Sequence, residues 1–157
     1  MKYLLLRTLF AAAFGLVIGC LTNTLEYRLR SELDVSDNSC YCPDCRHRLP
    51  LYDQIPVISY LILGGRCRFC KNPISPRYPA VEASAMLIYA LAALLTAPSA
   101  LAVPLIGLLC FCAYAALSML IRHVKPSAGK IASALLTMLG LNLPIAAGMF
   151  LLNIALL

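Results

Sequence analysis

CYCPDCRHR (residues 40–48) is answered by GGRCRFCK (64–71), with 21 residues between the two Cys-x-x-Cys pairs. Each Cys-x-x-Cys turn aims two sulfurs at one point, and two such turns supply the four thiolates of a tetrahedral Zn²⁺ site. The ligand set read from the spacing is Cys42, Cys45, Cys67 and Cys70. Cys40 is a spare thiol or an alternative ligand, because CYCPDC can slip by two residues. Arg46, Arg48, Arg66 and Arg68 flank the sulfurs and would offset the net −2 charge of a four-thiolate zinc centre. The loop offers Leu49, Leu51, Tyr52, Ile55, Val57, Ile58, Tyr60, Leu61, Ile62 and Leu63 for a core and little else, and a unit this small needs a metal or a partner surface to fold.

Working outward, the rest of the chain is apolar. The 157 residues are 61% hydrophobic and 13% charged, against about 25% charged in soluble domains. Residues 83–121 and 131–157 carry no charge at all. A single membrane span takes about 20 apolar residues. The first run therefore reads as two spans broken near TAPSA (96–100), and the second as one. Residues 8–25 are uncharged as well, and AFGLVIGC runs on without the small-residue cleavage site of a signal peptide. The expected fold is an all-α integral membrane protein of about four transmembrane helices, with a small zinc-ribbon-like loop between helices 1 and 2. The expected divisions are helix 1 over residues 1–25, the four-cysteine zinc loop over 26–79, and helices 2–4 over 80–157.

Lys and Arg set the orientation. Residues 26–79 carry eight, and Arg122, Lys125 and Lys130 follow helix 3, placing eleven of the thirteen on one side. That side is expected to be the cytoplasm, with both termini outside. A net charge of +6 is then a basic face against anionic lipid, with no need of nucleic acid. Four-helix membrane proteins that pass disulfides to quinones also carry two cysteine pairs. Their cysteines belong on the oxidising face, whereas this loop lies on the reducing one.

Beyond the cysteines, GCLTNTLEYRL (19–29), CPDC, LYDQIPVISYLILGGRCRFC (51–70) and NPISPRYPAVE (72–82) together carry a family likeness. From about Leu16 to Glu82 the chain resembles the N-terminal half of the type IV prepilin peptidases. The resemblance implies a bacterial inner-membrane protein of type IV pilus or type II secretion systems. It further implies partners among prepilin or pseudopilin helices, or a full-length peptidase, met by Asn23, Arg28, Arg77, Tyr78 and Glu82. Family members cleave leader peptides with two aspartates and methylate the new N-terminus with S-adenosylmethionine. This chain has only Asp34, Asp37, Asp44 and Asp53, and no carboxylate side chain after Glu82. In SMLIRHVKPSAGK (118–130), Leu120 stands where the resemblance places the first aspartate, and the Gly-x-Gly-Asp segment is absent. Without a base and a protonated partner there is no aspartyl peptidase. The resemblance thus implies a truncated, proteolytically inactive relative with no residues assignable to S-adenosylmethionine. A split peptidase, or its methyltransferase half, stands as the alternative, and disulfide exchange as another. Structural roles suit Asp53, as a turn cap, and Glu82, near a helix N-terminus.

Overall fold

The computed structural model describes residues 2–30, 40–96, 102–122 and 127–154. The turn expected near TAPSA, the basic loop around His123 and Lys125, and Asp34 and Asp37 lie mostly or wholly outside these residues. Among the described residues there are five helices and no strand: α1 (Lys2–Arg30), α2 (Ile58–Ile62), α3 (Arg77–Leu95), α4 (Ala102–Arg122) and α5 (Ala128–Ile154). The all-α expectation holds. The short helix α2 and a 3-10 turn, Leu51–Gln54, belong to the segment between α1 and α3.

Among the described residues, three helical stretches are long and apolar enough to cross a membrane: Leu4–Leu29, Arg77–Leu95 and Ala128–Gly148. Helix α4 is apolar over Ala102–Tyr114, a shorter stretch by that measure. Leu9, Leu87, Leu91, Leu109, Leu136 and Leu143 all stand more than half exposed. Helices apolar on their outer faces as well as their inner ones belong in lipid. Helix α1 runs five residues beyond the expected limit at Leu25. Its tail, EYRLR, is built of good helix formers, and 29 residues extend about 44 Å at 1.5 Å each. A hydrocarbon core is about 30 Å thick, so the helix has length to carry Glu26 and Arg28 past it.

Helices α1 and α3 form the closest pair. A Cβ on Gly15 would come within 2.7 Å of the Ala85 carbonyl oxygen, and one on Gly19 within 2.6 Å of the Glu82 Cα. Only glycine lets the two backbones approach that far, and the Gly15-x-x-x-Gly19 spacing puts both on one face. The core continues through Ala11, Ile18, Leu25, Tyr89, Ala92 and Ala93 to Val103 of α4 and Ala134 and Met138 of α5. Tyr89 carries the one polar bridge described within it. Its hydroxyl donates to Asn142 Oδ1 at 3.0 Å, and Asn142 Nδ2 donates to the Met138 carbonyl at 2.8 Å. Pro144 lies inside α5, and α5 continues through it to Ile154. At the end remote from the cysteines, Arg7 donates to the carbonyl and hydroxyl of Thr96, closing α1 onto the end of α3.

Candidate metal centre and adjoining cavity

The two cysteine turns are built on one plan. In the first, the Cys42 N–H donates to the His47 carbonyl at 3.0 Å and the Arg46 N–H to the Cys42 carbonyl at 2.9 Å. In the second, the Cys67 N–H donates to the Asn72 carbonyl at 2.9 Å and the Lys71 N–H to the Cys67 carbonyl at 3.1 Å. Antiparallel bridges close each turn, Tyr41 with Arg48 and Arg66 with Pro73. Arg46 (φ 57°) and Lys71 (φ 60°) occupy the left-handed region directly after the second cysteine of each pair. That reversal folds the chain back so that both thiols of a pair face the same point. Gly64 and Gly65 supply two more positive φ values leading into the second turn, where a side chain would be strained.

The turns meet through His47, stacked on Phe69 with ring centroids 3.6 Å apart. This brings the sulfurs of Cys42, Cys45, Cys67 and Cys70 within 4.8 Å of one another. Cys42 Sγ and Cys70 Sγ are 3.8 Å apart. A thiolate tetrahedron with Zn–S bonds of ~2.3 Å has edges of about 3.8 Å, so the four residues fit zinc. Four protein ligands leave no open position, which is the arrangement of a structural rather than a catalytic site. Burial pushes the Cys42 thiol up to about 12. Burial raises the Cys67 thiol too, but the backbone N–H groups of Cys70 and Phe69, with the Cys42 and Cys70 thiols, outweigh it and bring it down to about 7. One thiol ionises readily while a neighbour keeps its proton, as expected where four acidic groups crowd one point. A divalent cation held there would supply the missing counter-charge. Cys40 stands outside the cluster, its carbonyl accepting from the Leu49 N–H at 2.8 Å. All eight cysteines are free thiols.

Three further residues take parts different from those expected. Arg68 does not face the sulfurs as a spare counter-charge. Its guanidinium donates both Nε and Nη2 to the Asp53 carboxylate, at 2.8 and 2.7 Å, and lies 5.3 Å from the Tyr52 ring centre. The Asp53 bond holds the guanidinium above its ordinary pKa. Asp53 is therefore more than a turn cap: it ties the 3-10 turn to the second cysteine turn. Glu82 lies in the second turn of α3, beyond the reach of the helix N-terminal dipole. It accepts the Val57 N–H at 2.7 Å, and Val57 holds a φ of 61°, a strained setting for a β-branched residue. Glu82 thus tethers the cysteine module to α3.

The module, the end of α1 and the start of α3 enclose a cavity of about 1040 Å³. Of the residues singled out in the sequence, Asn23, Arg28, Tyr78 and Glu82 line it. Arg77 does not. It turns to Glu26, with Nη2 donating to Oε2 at 3.1 Å, and lies 5.2 Å from the Tyr78 ring centre. Glu26 is fully buried and was not legible in the sequence, where it reads as the first residue of a loop. The only signal available was its place one helical turn after Asn23 and Thr22. Cys20 and Cys40 both line the cavity as well.

The region that frames this cavity has known counterparts. A family model described as the bacterial peptidase A24 N-terminal domain matches residues 13–96, more than half of the chain. The chain belongs to this family. The match runs from within α1, through the cysteine module, to the end of α3, so the A24 N-terminal unit is the part that carries both the candidate metal centre and the cavity. The prepilin leader peptidase/N-methyltransferase of Klebsiella pneumoniae is 38% identical over 99 residues, covering 59% of this chain and 42% of that protein. Its counterpart in Burkholderia pseudomallei (strain 1026b) is 33% identical over 124 residues, covering 63% and 40%. That of Aeromonas hydrophila is 47% identical over 60 residues, covering 38% and 20%. The chain spans less than half the length of these curated relatives. No solved structure matches it. The family resemblance read from residues 16–82 is thereby established.

Proposed function

We propose that this A24-family chain is a non-cleaving membrane protein of a type IV pilus or type II secretion system that binds prepilin-like helices or a peptidase partner. It lies in the bacterial inner membrane, with the cysteine module and the loop after α4 in the cytoplasm and both termini outside. The module holds one Zn²⁺ through Cys42, Cys45, Cys67 and Cys70, as a structural ion. The observation that carries the reading is the coincidence of an intact module and α1–α3 pair with a following stretch, residues 83–157, that contains no Asp or Glu. An aspartyl mechanism needs two carboxylates sharing a proton, and α3 beyond Glu82, α4 and α5 offer none. The positive-inside distribution of Lys and Arg supports the orientation.

A second reading is favoured by one feature. A cavity of about 1040 Å³ is at the upper end of the size that takes a drug-sized ligand. That would suit a split peptidase or methyltransferase half using S-adenosylmethionine. The test is to co-express the chain with a prepilin in cells lacking any other peptidase. The expected outcome is prepilin co-purifying with the chain at its uncleaved mass. Mature prepilin would overturn the non-cleaving reading, and a mass increase on pre-cleaved pilin would favour the methyltransferase one.

A further inference from the structure

The short helix α2 shows different residues on its two sides. Ser59 and Tyr60, with Leu63 just past the helix end, line the cavity. Ile58, Leu61 and Ile62 do not, and the helical period sets these three together on the opposite face. Each of them is more than half exposed. The 3-10 turn that packs against α2 adds Leu51, which is more exposed still. Adjacent aliphatic side chains left open in this way mark an interaction surface, and their depth says what meets it.

Two contacts fix that depth. The N–H of Val57, the residue directly before α2, donates to the Glu82 carboxylate at 2.7 Å. Glu82 in turn lies level with Gly19 of α1, where a Cβ would come within 2.6 Å of the Glu82 Cα. Gly19 stands six residues before Leu25, the end of the uncharged run 8–25, which is about 9 Å along a helix axis. Glu82 is also the last charged residue before residues 83–121, which carry none. Both helices therefore place this level in lipid. Even with the Glu82 side chain extended toward water, α2 starts at the boundary between headgroups and acyl chains. The charges nearby suit such a place. Arg66 is exposed four residues beyond Ile62, Arg48 and Lys71 are exposed as well, and no acidic residue lies between Asp53 and Glu82. Basic side chains beside an aliphatic face match an anionic headgroup layer.

We propose that the face of α2 formed by Ile58, Leu61 and Ile62 is seated in the lipid interface, in the leaflet where α1 ends and α3 begins. A helix of five residues is too short to hold a membrane by itself. Here the module is tethered by the spans on either side of it, so the association is intramolecular and most of its entropic cost is already met. Seated in this way, α2 is a wall with lipid on one side and the cavity on the other. The inference is independent of whether the chain binds prepilins or cleaves them.

The chain contains no Trp, so a single introduced one reports without background. Leu61→Trp in the full chain, with the zinc content of the unaltered protein, is placed in nanodiscs of zwitterionic and anionic phospholipid at one chain per disc. Leu91→Trp, on the exposed side of the α3 span, is the lipid reference. Phospholipid brominated near the top of its acyl chains is expected to quench Leu61→Trp at least about one third as strongly as Leu91→Trp, as befits a side chain in the interface. Weaker quenching overturns the proposal. If acrylamide quenches instead, the face lies in water; if neither quencher reaches it, other residues of the chain cover it. Tryptophan itself favours the interface, so Ile58→Ser with Ile62→Ser is added to the Leu61→Trp chain. Bromine quenching should then fall by about half or more, because the lost aliphatic neighbours held the face in lipid. Unchanged quenching would mean that the probe sought lipid by itself, and would overturn the proposal. In discs holding several chains the quenching should persist. Its loss there, with Leu91→Trp still quenched, would make a second copy the preferred occupant and overturn the lipid seat. Should Leu61→Trp fail to fold, Ile62→Trp reports from the same face, with Ile58→Ser and Leu61→Ser as its paired variant and the same outcomes.

Discussion

In the helical bundle, α1 and α3 approach through what Gly15 and Gly19 lack; in the module between them, the chain is held by what Cys42, Cys45, Cys67 and Cys70 supply. The first region is stabilised by backbone contact over several turns, in a solvent where apolar side chains gain little from meeting each other. The second has few buried side chains to pack. Leu51, Leu61 and Ile62 are 83%, 70% and 75% exposed, so they contribute little to a core. Two regions of one chain therefore respond to different insults, and the boundary between them is the line where Glu82 takes the Val57 N–H.

Removing the metal should separate the regions most sharply. Structural zinc contributes an apparent ~10–16 kcal/mol in small modules, far more than the packing described between residues 40 and 76. A strong chelator, or Cys67→Ser, is expected to abolish zinc content and make the module protease-sensitive. The helices should remain, with far-UV circular dichroism in lipid nearly unchanged. Global loss of helix on chelation would show that the module and bundle are one cooperative unit.

Gly19→Leu should do the reverse. Its side chain would meet the Glu82 Cα, the Ala85 side chain and the Val81 carbonyl, and none of these is the flexible end of a long side chain. Overpacking of this kind costs about 1–3 kcal/mol, and here it acts on the backbone that carries Glu82. Zinc should stay bound while α1 and α3 separate, read as a shorter-lived pairing of the two helices in a crosslinking or fluorescence-transfer experiment. Unchanged pairing would mean that the close approach contributes nothing to the bundle.

These two regions also differed in how far the sequence disclosed them. Cysteine pairs announce themselves because a metal site demands fixed residue types at fixed spacing, and the four sulfurs meet as the spacing requires. Long apolar runs likewise disclose helices, since lipid tolerates little else. What spacing could not disclose is which polar side chains pair across elements far apart in the chain. Arg68 looked like a counter-charge for sulfur until Asp53, fifteen residues away, was placed against it. Glu26 and Arg77 are 51 residues apart, and nothing local links them. Glu82 sits near a helix start, which invites a dipole explanation, yet its carboxylate accepts from Val57 of the module. The Gly15–Gly19 spacing was present to be read, but its face is apparent only once α3 lies against it.

A smaller effect is expected inside the module itself. Asp53→Asn removes the charge that holds Arg68, leaving the four sulfurs and both turns in place. Zinc content should match the unaltered chain, while release to a chelator becomes faster because the 3-10 turn no longer braces the second cysteine turn. Loss of zinc at equilibrium would promote Asp53 to a requirement for the site. Release at the unaltered rate would show that the His47–Phe69 stack already suffices.

The smallest change belongs to the bundle's polar bridge. Tyr89→Phe deletes the hydroxyl that donates to Asn142 Oδ1 and leaves the ring in place against Gly107. The volume is nearly conserved, so no cavity follows, and the cost is that of one hydrogen bond plus an orphaned acceptor. In water such a loss is about 0.5–1.5 kcal/mol. In a membrane the figure stays near the low end, ~0.6 kcal/mol on average, because the separated helices find other partners for the same groups. Asn142 limits the damage further: its Nδ2 remains bonded to the Met138 carbonyl within α5, so only Oδ1 is stranded. Unfolding measured by steric trapping in bicelles should therefore shift by less than for Gly19→Leu, with zinc content untouched. A loss above about 2 kcal/mol would place Tyr89 beyond a single bond of this kind. The α3–α5 contact, rather than the glycine-lined α1–α3 face, would then be the main support of the bundle.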